Sequence, residues 1–240
     1  MRREAENRNG ADGPHRDSAK RYATRLAPLP AIKRLGRVEY EPTWQAMKDF
    51  TARRIDDSPD ELWVLQHPPV YTLGIAARAQ HLPRLANGIP VVKTDRGGQI
   101  TYHGPGQLVV YLLLDLKRRG LTVRPLVRLM ENAVIDLLAE YAVAARGCSD
   151  APGVYVGNAK VAALGLRIRN GCCYHGLALN VDMDLSPFRA INPCGYPGLE
   201  VTQTRDLGIT DCLDKLGSNL AHHLLERVRA TSAEDIASRK

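Results

Sequence analysis

Lys160-Val161-Ala162-Ala163-Leu164-Gly165-Leu166-Arg167-Ile168-Arg169-Asn170-Gly171-Cys172-Cys173-Tyr174-His175-Gly176-Leu177-Ala178-Leu179-Asn180 decides the fold class. Two largely apolar, extended arms meet at Asn170-Gly171, a dipeptide favoured in two-residue hairpin turns because both positions take positive φ. Upstream, Gly153 to Val156 reads as another strand. Before it, Leu126, Met130, Ala133, Val134, Leu137, Leu138 and Tyr141 form a helical stripe behind Pro125, a residue tolerated in a first helical turn. Leu108 to Leu114 is apolar throughout, as expected for a strand covered on both faces. Further towards the N-terminus come a strand over Gly36 to Tyr40 and a helix over Pro42 to Ile55. Short strands follow over Glu61 to Gln66, Val70 to Leu73 and Ile89 to Lys93. Downstream, Leu213, Leu216, Leu220, Leu224 and Val228 mark a last helix that starts near Thr210 or Asp211. Hairpins mixed with helical crossovers predict an α/β fold with a mixed sheet.

The 240 residues, 44% hydrophobic, suffice for one sizeable core without disulfides or metals. Residues 1–30 are polar and aperiodic and read as a disordered extension; 31–230 read as a single domain, and 231–240 as a flexible tail. No apolar run approaches the roughly 20 residues of a membrane span. The N-terminus lacks the apolar core of a secretory signal, and its acidic residues argue against a transit peptide, so the cytoplasm is the expected compartment. Five scattered cysteines (Cys148, Cys172, Cys173, Cys194, Cys212) fit a reducing compartment better than a disulfide framework. The net charge of +7 admits a nucleic acid or an acidic protein as partner. With two Phe, two Trp and no stacking motif, nucleic acid is the weaker reading.

The most unusual segment is Arg96-Gly97-Gly98-Gln99-Ile100-Thr101-Tyr102-His103-Gly104-Pro105-Gly106-Gln107. Its glycines allow a tight loop and close approach to a ligand, but it matches neither phosphate-binding glycine pattern. Together with Val110-Tyr111 it resembles the signature of the lipoyl(octanoyl) transferases of lipoate biosynthesis. His67-Pro68-Pro69-Val70-Tyr71-Thr72-Leu73-Gly74, Lys160 to Arg169, Tyr174 to Asn180 and Ile191-Asn192-Pro193-Cys194-Gly195 extend the resemblance, in order, from about Gly36 to the last helix. It implies the fold of biotin and lipoate protein ligases, in which a smaller sheet stands beside a large mixed sheet flanked by helices. It also implies an acyl pocket walled by Arg96 to His103, Ala163-Leu164-Gly165 and Gly176-Leu177-Ala178.

By that resemblance the activity is octanoyl transfer from an acyl carrier protein to a lysine of lipoyl domains, such as those of dehydrogenase E2 subunits and the glycine cleavage H protein. No cofactor is implied. Exchanging a thioester for an amide suits a thiol nucleophile, and a free thiol near pKa ~8.5 needs a base or cation beside it. The resemblance assigns these roles to Cys194 and Lys160. Read locally, Cys194 lies among turn formers and is equally a small buried hydrophobe, and a lone lysine at a strand end is by default a surface residue. Partial desolvation of such a lysine would lower its pKa and fit it to take the thiol proton. His67, His103 and His175 could line the pocket, although a lone histidine is more often a satisfied structural residue. Cys172 and Cys173, adjacent on a strand, point to opposite faces and make a poor metal site; no metal is expected. The competing functions are an ATP-dependent lipoate or biotin ligase, for which no basic phosphate loop is evident, and a catalytically silent interaction protein of the same fold.

Overall fold

The computed structural model describes residues 27–78, 83, 88–148, 150–191 and 199–237. In chain order the elements are β1 (Ala31–Arg37), α1 (Tyr40–Ala52), β2 (Glu61–Gln66), β3 (Val70–Leu73), β4 (Val91–Lys93), β5 (Ile100–His103), β6 (Gln107–Asp115), α2 (Val123–Ala139), β7 (Arg146–Gly147), β8 (Gly153–Val156), β9 (Ala159–Arg169), β10 (Cys172–Asn180) and α3 (Leu213–Ala237). Seven strands form one sheet in the order β1-β2-β6-β10-β9-β8-β7, and β4-β3-β5 form a smaller one. Only β1–β2 is parallel in the large sheet, across the α1 crossover; the other neighbours are antiparallel. The hairpin expected at Asn170-Gly171 joins β9 to β10, with φ of 54° and 82° at the two turn residues.

The central strands are covered on both faces, which is why β6 and β10 read as continuous apolar runs. Strand alternation divides β6. Leu108, Val110, Leu112 and Leu114 enter the aliphatic core under α2 and α3, while Val109, Tyr111 and Leu113 turn to the opposite face with Met47 and Trp44 of α1. β10 divides the same way: Leu177 and Leu179 lie under the helices, Tyr174 and Ala178 on the α1 side. Cys173 joins the helical core and donates from Sγ to the carbonyl of Leu112 at 3.2 Å; burial pushes its thiol up to about 12. The small sheet also covers the α1 side. Its own core is Tyr71, Leu73, Ile100 and Tyr102, packed on Met183, Phe188 and Ile191.

Three elements depart from expectation. The strand expected over Gly36–Tyr40 lies earlier, at Ala31–Arg37, and Tyr40 opens α1 instead. As an edge strand, β1 is solvated along most of its length and carries no apolar alternation to reveal it. The helix expected to run to Ile55 stops at Ala52, and Ile55 is 74% exposed rather than part of the apolar stripe. The glycine-rich loop is half strand, because Ile100–His103 pair antiparallel with Val70–Leu73. At the chain ends, α3 runs to Ala237, beyond the Ala230 boundary, and most of the expected extension over 1–30 lies outside the described residues.

Candidate active site

A cleft opens between the α1 face of the large sheet and the small sheet, with about 530 Å³ of empty space including its mouth. Its floor is the hairpin itself, where Ala163, Leu164 and Gly165 of β9 meet Gly176, Leu177 and Ala178 of β10. Small residues are required there by packing as well as by any ligand. A Cβ on Gly176 would run into the carbonyl oxygen of Val110 on the neighbouring strand. The roof is Arg96, Gly98, Gln99, Ile100, Thr101 and His103, and Tyr40, Val109, Tyr111 and His175 close the sides.

The period of two in β5 sorts the residues expected to line the pocket. Thr101 and His103 face the cleft. Tyr102 does not; its ring turns into the small-sheet core, edge-on to Phe188 at 5.5 Å, which corrects the expectation that it lines the pocket. Ile100 borders the cleft while its side chain packs in that same core. Gly97 also falls outside the cleft. Its N–H donates to the carbonyl of Leu166 at 2.8 Å, fastening the loop to the part of β9 beyond its pairing with β8.

Arg96 is buried, and its guanidinium holds the loop shut. Nε and Nη2 donate to Thr72 Oγ1 at 3.1 and 2.8 Å, Nη2 to the Thr72 carbonyl at 2.5 Å, and Nη1 to the Gly97 carbonyl at 3.0 Å. Its neighbour Asp95 accepts from Trp44 Nε1 at 2.9 Å, from His175 Nε2 at 3.1 Å and from the Tyr174 hydroxyl. Burial alone would raise the Asp95 carboxyl, but these three donors together outweigh it and hold it below the usual carboxylate range. His175 reaches Asp95 because its φ is +63°, a strained value for a residue with a Cβ. The inversion puts its ring beside that of Tyr174, with centroids 5.1 Å apart, rather than on the opposite face as strand alternation would.

His67 and His103 are satisfied as neutral rings. His67 Nδ1 donates to the Val38 carbonyl at 2.7 Å, so Nε2 accepts from the Tyr111 hydroxyl, also at 2.7 Å. His103 Nδ1 lies 2.7 Å from Gln107 Oε1, to which it can only donate. Burial pushes His67 down to about 4 and His103 to about 3, and it lowers His175 in spite of Asp95. Neutral imidazoles and small residues give the cleft walls of low charge, suited to an alkyl chain.

Lys160 lines a small cavity adjoining this cleft and is 3% exposed, unlike the default surface lysine. Thr101 and Ala163 border both the cleft and the small cavity that Lys160 shares with Gln107 and Asn180. Its Nζ donates to the Pro152 carbonyl at 3.2 Å and lies 5.0 Å from the centre of the Tyr155 ring. Its backbone is held by the segment after residue 198: Lys160 N donates to Glu200 O at 2.8 Å, and Thr202 N to Lys160 O at 3.0 Å. Cys194 lies outside the described residues. Among the described residues no group of three His, Cys, Asp or Glu side chains is placed to hold a metal ion, and no helix is long and apolar enough to cross a membrane.

Residues 39–217 match the family model of the lipoyl protein ligase A/B catalytic domain. The chain belongs to that family. Within it, the chain is 62% identical over 199 residues to an octanoyltransferase of Dechloromonas aromatica (strain RCB), covering 83% of this chain and 97% of the relative. Membership at that level makes it an acyltransferase. Among solved structures, a bipartite lipoate protein ligase from Thermoplasma acidophilum, described with its E2 lipoyl domain, is similar with a TM-score of 0.64 at 15% identity; the match covers 88% of this chain and 93% of that one. The biotin protein ligase of Aquifex aeolicus gives 0.54 at 12%, covering 82% and 70%. These two likenesses confirm the expected ligase-type fold, including its smaller second sheet. The sequence reading did not single out Tyr40 as a wall of the cleft or Asp95 as the partner of His175. The one local signal was a carboxylate immediately before a glycine-rich loop.

Proposed function

We propose that the chain transfers an octanoyl group from octanoyl-acyl carrier protein to a lysine of lipoyl domains, through a thioester on Cys194. The observation that carries the reading is a lysine, Lys160, buried beside a weakly charged cleft in a chain that shares 62% identity with an octanoyltransferase. The chain on the far side of Cys194 is bonded to Lys160 through Glu200 and Thr202, which supports a pairing of the two side chains.

In the first half-reaction the Cys194 thiolate attacks the donor carbonyl. The carrier's thiol leaves, taking the proton that Lys160 removed from Cys194. In the second, the ε-amine of the acceptor lysine attacks the acyl-enzyme, an amide forms, and the proton lost by the amine returns through Lys160 to the Cys194 sulfur. Apart from Arg96, whose guanidinium is bonded to Thr72 and Gly97, the lining side chains are uncharged and leave the acyl tail in largely apolar surroundings. The acceptors are lipoyl domains of dehydrogenase E2 subunits and the glycine cleavage H protein. No nucleotide takes part in either step.

The test is intact-mass analysis after mixing the chain with octanoyl-acyl carrier protein in the absence of ATP, beside a Cys194→Ser variant. An octanoyl adduct on the wild-type chain that moves onto an added lipoyl domain is expected. Neither adduct nor transfer without ATP would overturn the thioester route.

A further inference from the structure

A groove leaves the cleft at Gly98, Gln99, Leu164 and Gly165, which border both. It crosses Pro152 and Val127 and widens into a more polar trough along the first turns of α2, walled by Arg124 and Arg128, with Asp150 and the buried Glu131, which accepts from Gly153 N, also in its lining. Four features distinguish it from an ordinary surface furrow. Its wall passes directly beside Lys160, because the Pro152 carbonyl that lines it accepts from Lys160 Nζ. Its near half is apolar, with Leu164, Leu166, Val127 and a 47% exposed Val123. At its junction with the cleft Gln99 Oε1 is buried and has no hydrogen-bond partner among the described residues, an arrangement that costs free energy and favours a donor there. Its far end carries two exposed arginines one helical turn apart, so that their side chains share a face, and neither forms an ion pair among the described residues.

We propose that this groove holds the phosphopantetheine arm of the acyl donor, with Arg124 and Arg128 on its phosphodiester. The inference rests on the carrier-dependent transfer proposed above. The ligand that fits is a thioester at one end, an amide-bearing chain with a dimethyl branch in the middle and a phosphate at the other. An amide N–H of the chain satisfies Gln99 Oε1, the branch packs on Val123 and Val127, and the guanidinium pair takes the phosphate through charge-assisted bonds.

The test compares octanoyl-4′-phosphopantetheine with octanoyl-pantetheine as donors to a lipoyl domain, for the wild-type chain and for an Arg124→Ala/Arg128→Ala variant. Wild type is expected to use the phosphorylated donor with kcat/KM higher by about tenfold or more, and the variant to lose that preference. An Arg124→Lys/Arg128→Lys variant, which keeps both charges, should retain part of it. Equal use of both donors by wild type, or an undiminished preference in the alanine variant, would overturn the proposal while leaving the transferase reading intact. Transfer from free octanoate with ATP, but from neither thioester donor, would instead remove the reading beneath it.

Discussion

The two faces of the central strand pair differ in what their residues do, although they alternate along the same backbone. Under α2 and α3, β6 and β10 present Leu108, Val110, Leu112, Leu114, Leu177 and Leu179, an aliphatic layer whose titratable group on these strands is the buried Cys173 thiol, pushed up to about 12. Towards α1 and the small sheet the same strands present Tyr111, Tyr174, an inverted His175 and Ala178. That face is walled by further buried polar groups, namely His67, His103, Arg96 and Lys160. The helical face stabilises by burying area, at about 1.5–3 kcal/mol for each large aliphatic side chain. The cleft face holds polar groups that would destabilise the fold if any lost its partner, by about 1–3 kcal/mol each. Stability and chemistry are therefore separable by mutation.

The largest separation is expected at Lys160. Lys160→Met keeps the buried stem and removes the amine. Transfer should fall by about 10³-fold or more, far beyond the effect of the small drop in thermal midpoint expected from the Pro152 carbonyl losing its donor; a variant with more than a tenth of wild-type kcat/KM would show that Lys160 is not the proton carrier. The converse experiment is Leu112→Ala. Leu112 is fully buried, so the cavity should cost about 3 kcal/mol in denaturant unfolding, with kcat/KM of the remaining folded enzyme within about twofold of wild type. A large loss of activity in folded protein would mean that the two faces are coupled.

A smaller effect is expected from pH. In the folded chain His67 and His103 remain neutral down to about 4 and about 3, whereas in the unfolded chain they take up protons near pH ~6.5. Between those values the unfolded state binds more protons, so stability must fall as the pH falls. Each ring should cost about 2 kcal/mol between pH 7 and pH 5. His175 acts in the same direction. Urea unfolding at the two pH values should show this loss in wild type and a smaller one in His103→Gln. Leu112→Ala, on the face whose strands carry no group titrating between pH 5 and pH 7, should keep the wild-type pH slope, and a changed slope there would break the distinction between faces.

Much of the scaffold was legible from local chemistry. Asn170-Gly171 announced the hairpin because few dipeptides take positive φ at both positions, and the all-apolar β6 announced a doubly covered strand. β1 was hidden because an exposed edge strand needs no apolar pattern, and Tyr102 was misplaced because a glycine-rich stretch read as loop turned out to contain a strand whose alternation decides direction. The site was legible only in part. Lys160, Arg96 and the small residues of the floor were marked out by the resemblance to the transferase family, not by local chemistry. The burial of Lys160 depends on Pro152, Tyr155 and the 200–202 segment, and the inversion of His175 depends on Asp95, 80 residues away.

The sequence by itself determined the hairpin, the doubly covered central strand and the helices, since each follows from the intrinsic preference of residues within a few positions of one another. Only the tertiary structure decided which histidines are neutral, which lysine is buried and which roof residues face the cleft. Protonation, burial and direction depend on desolvation and on hydrogen-bond partners that the chain brings together from segments far apart.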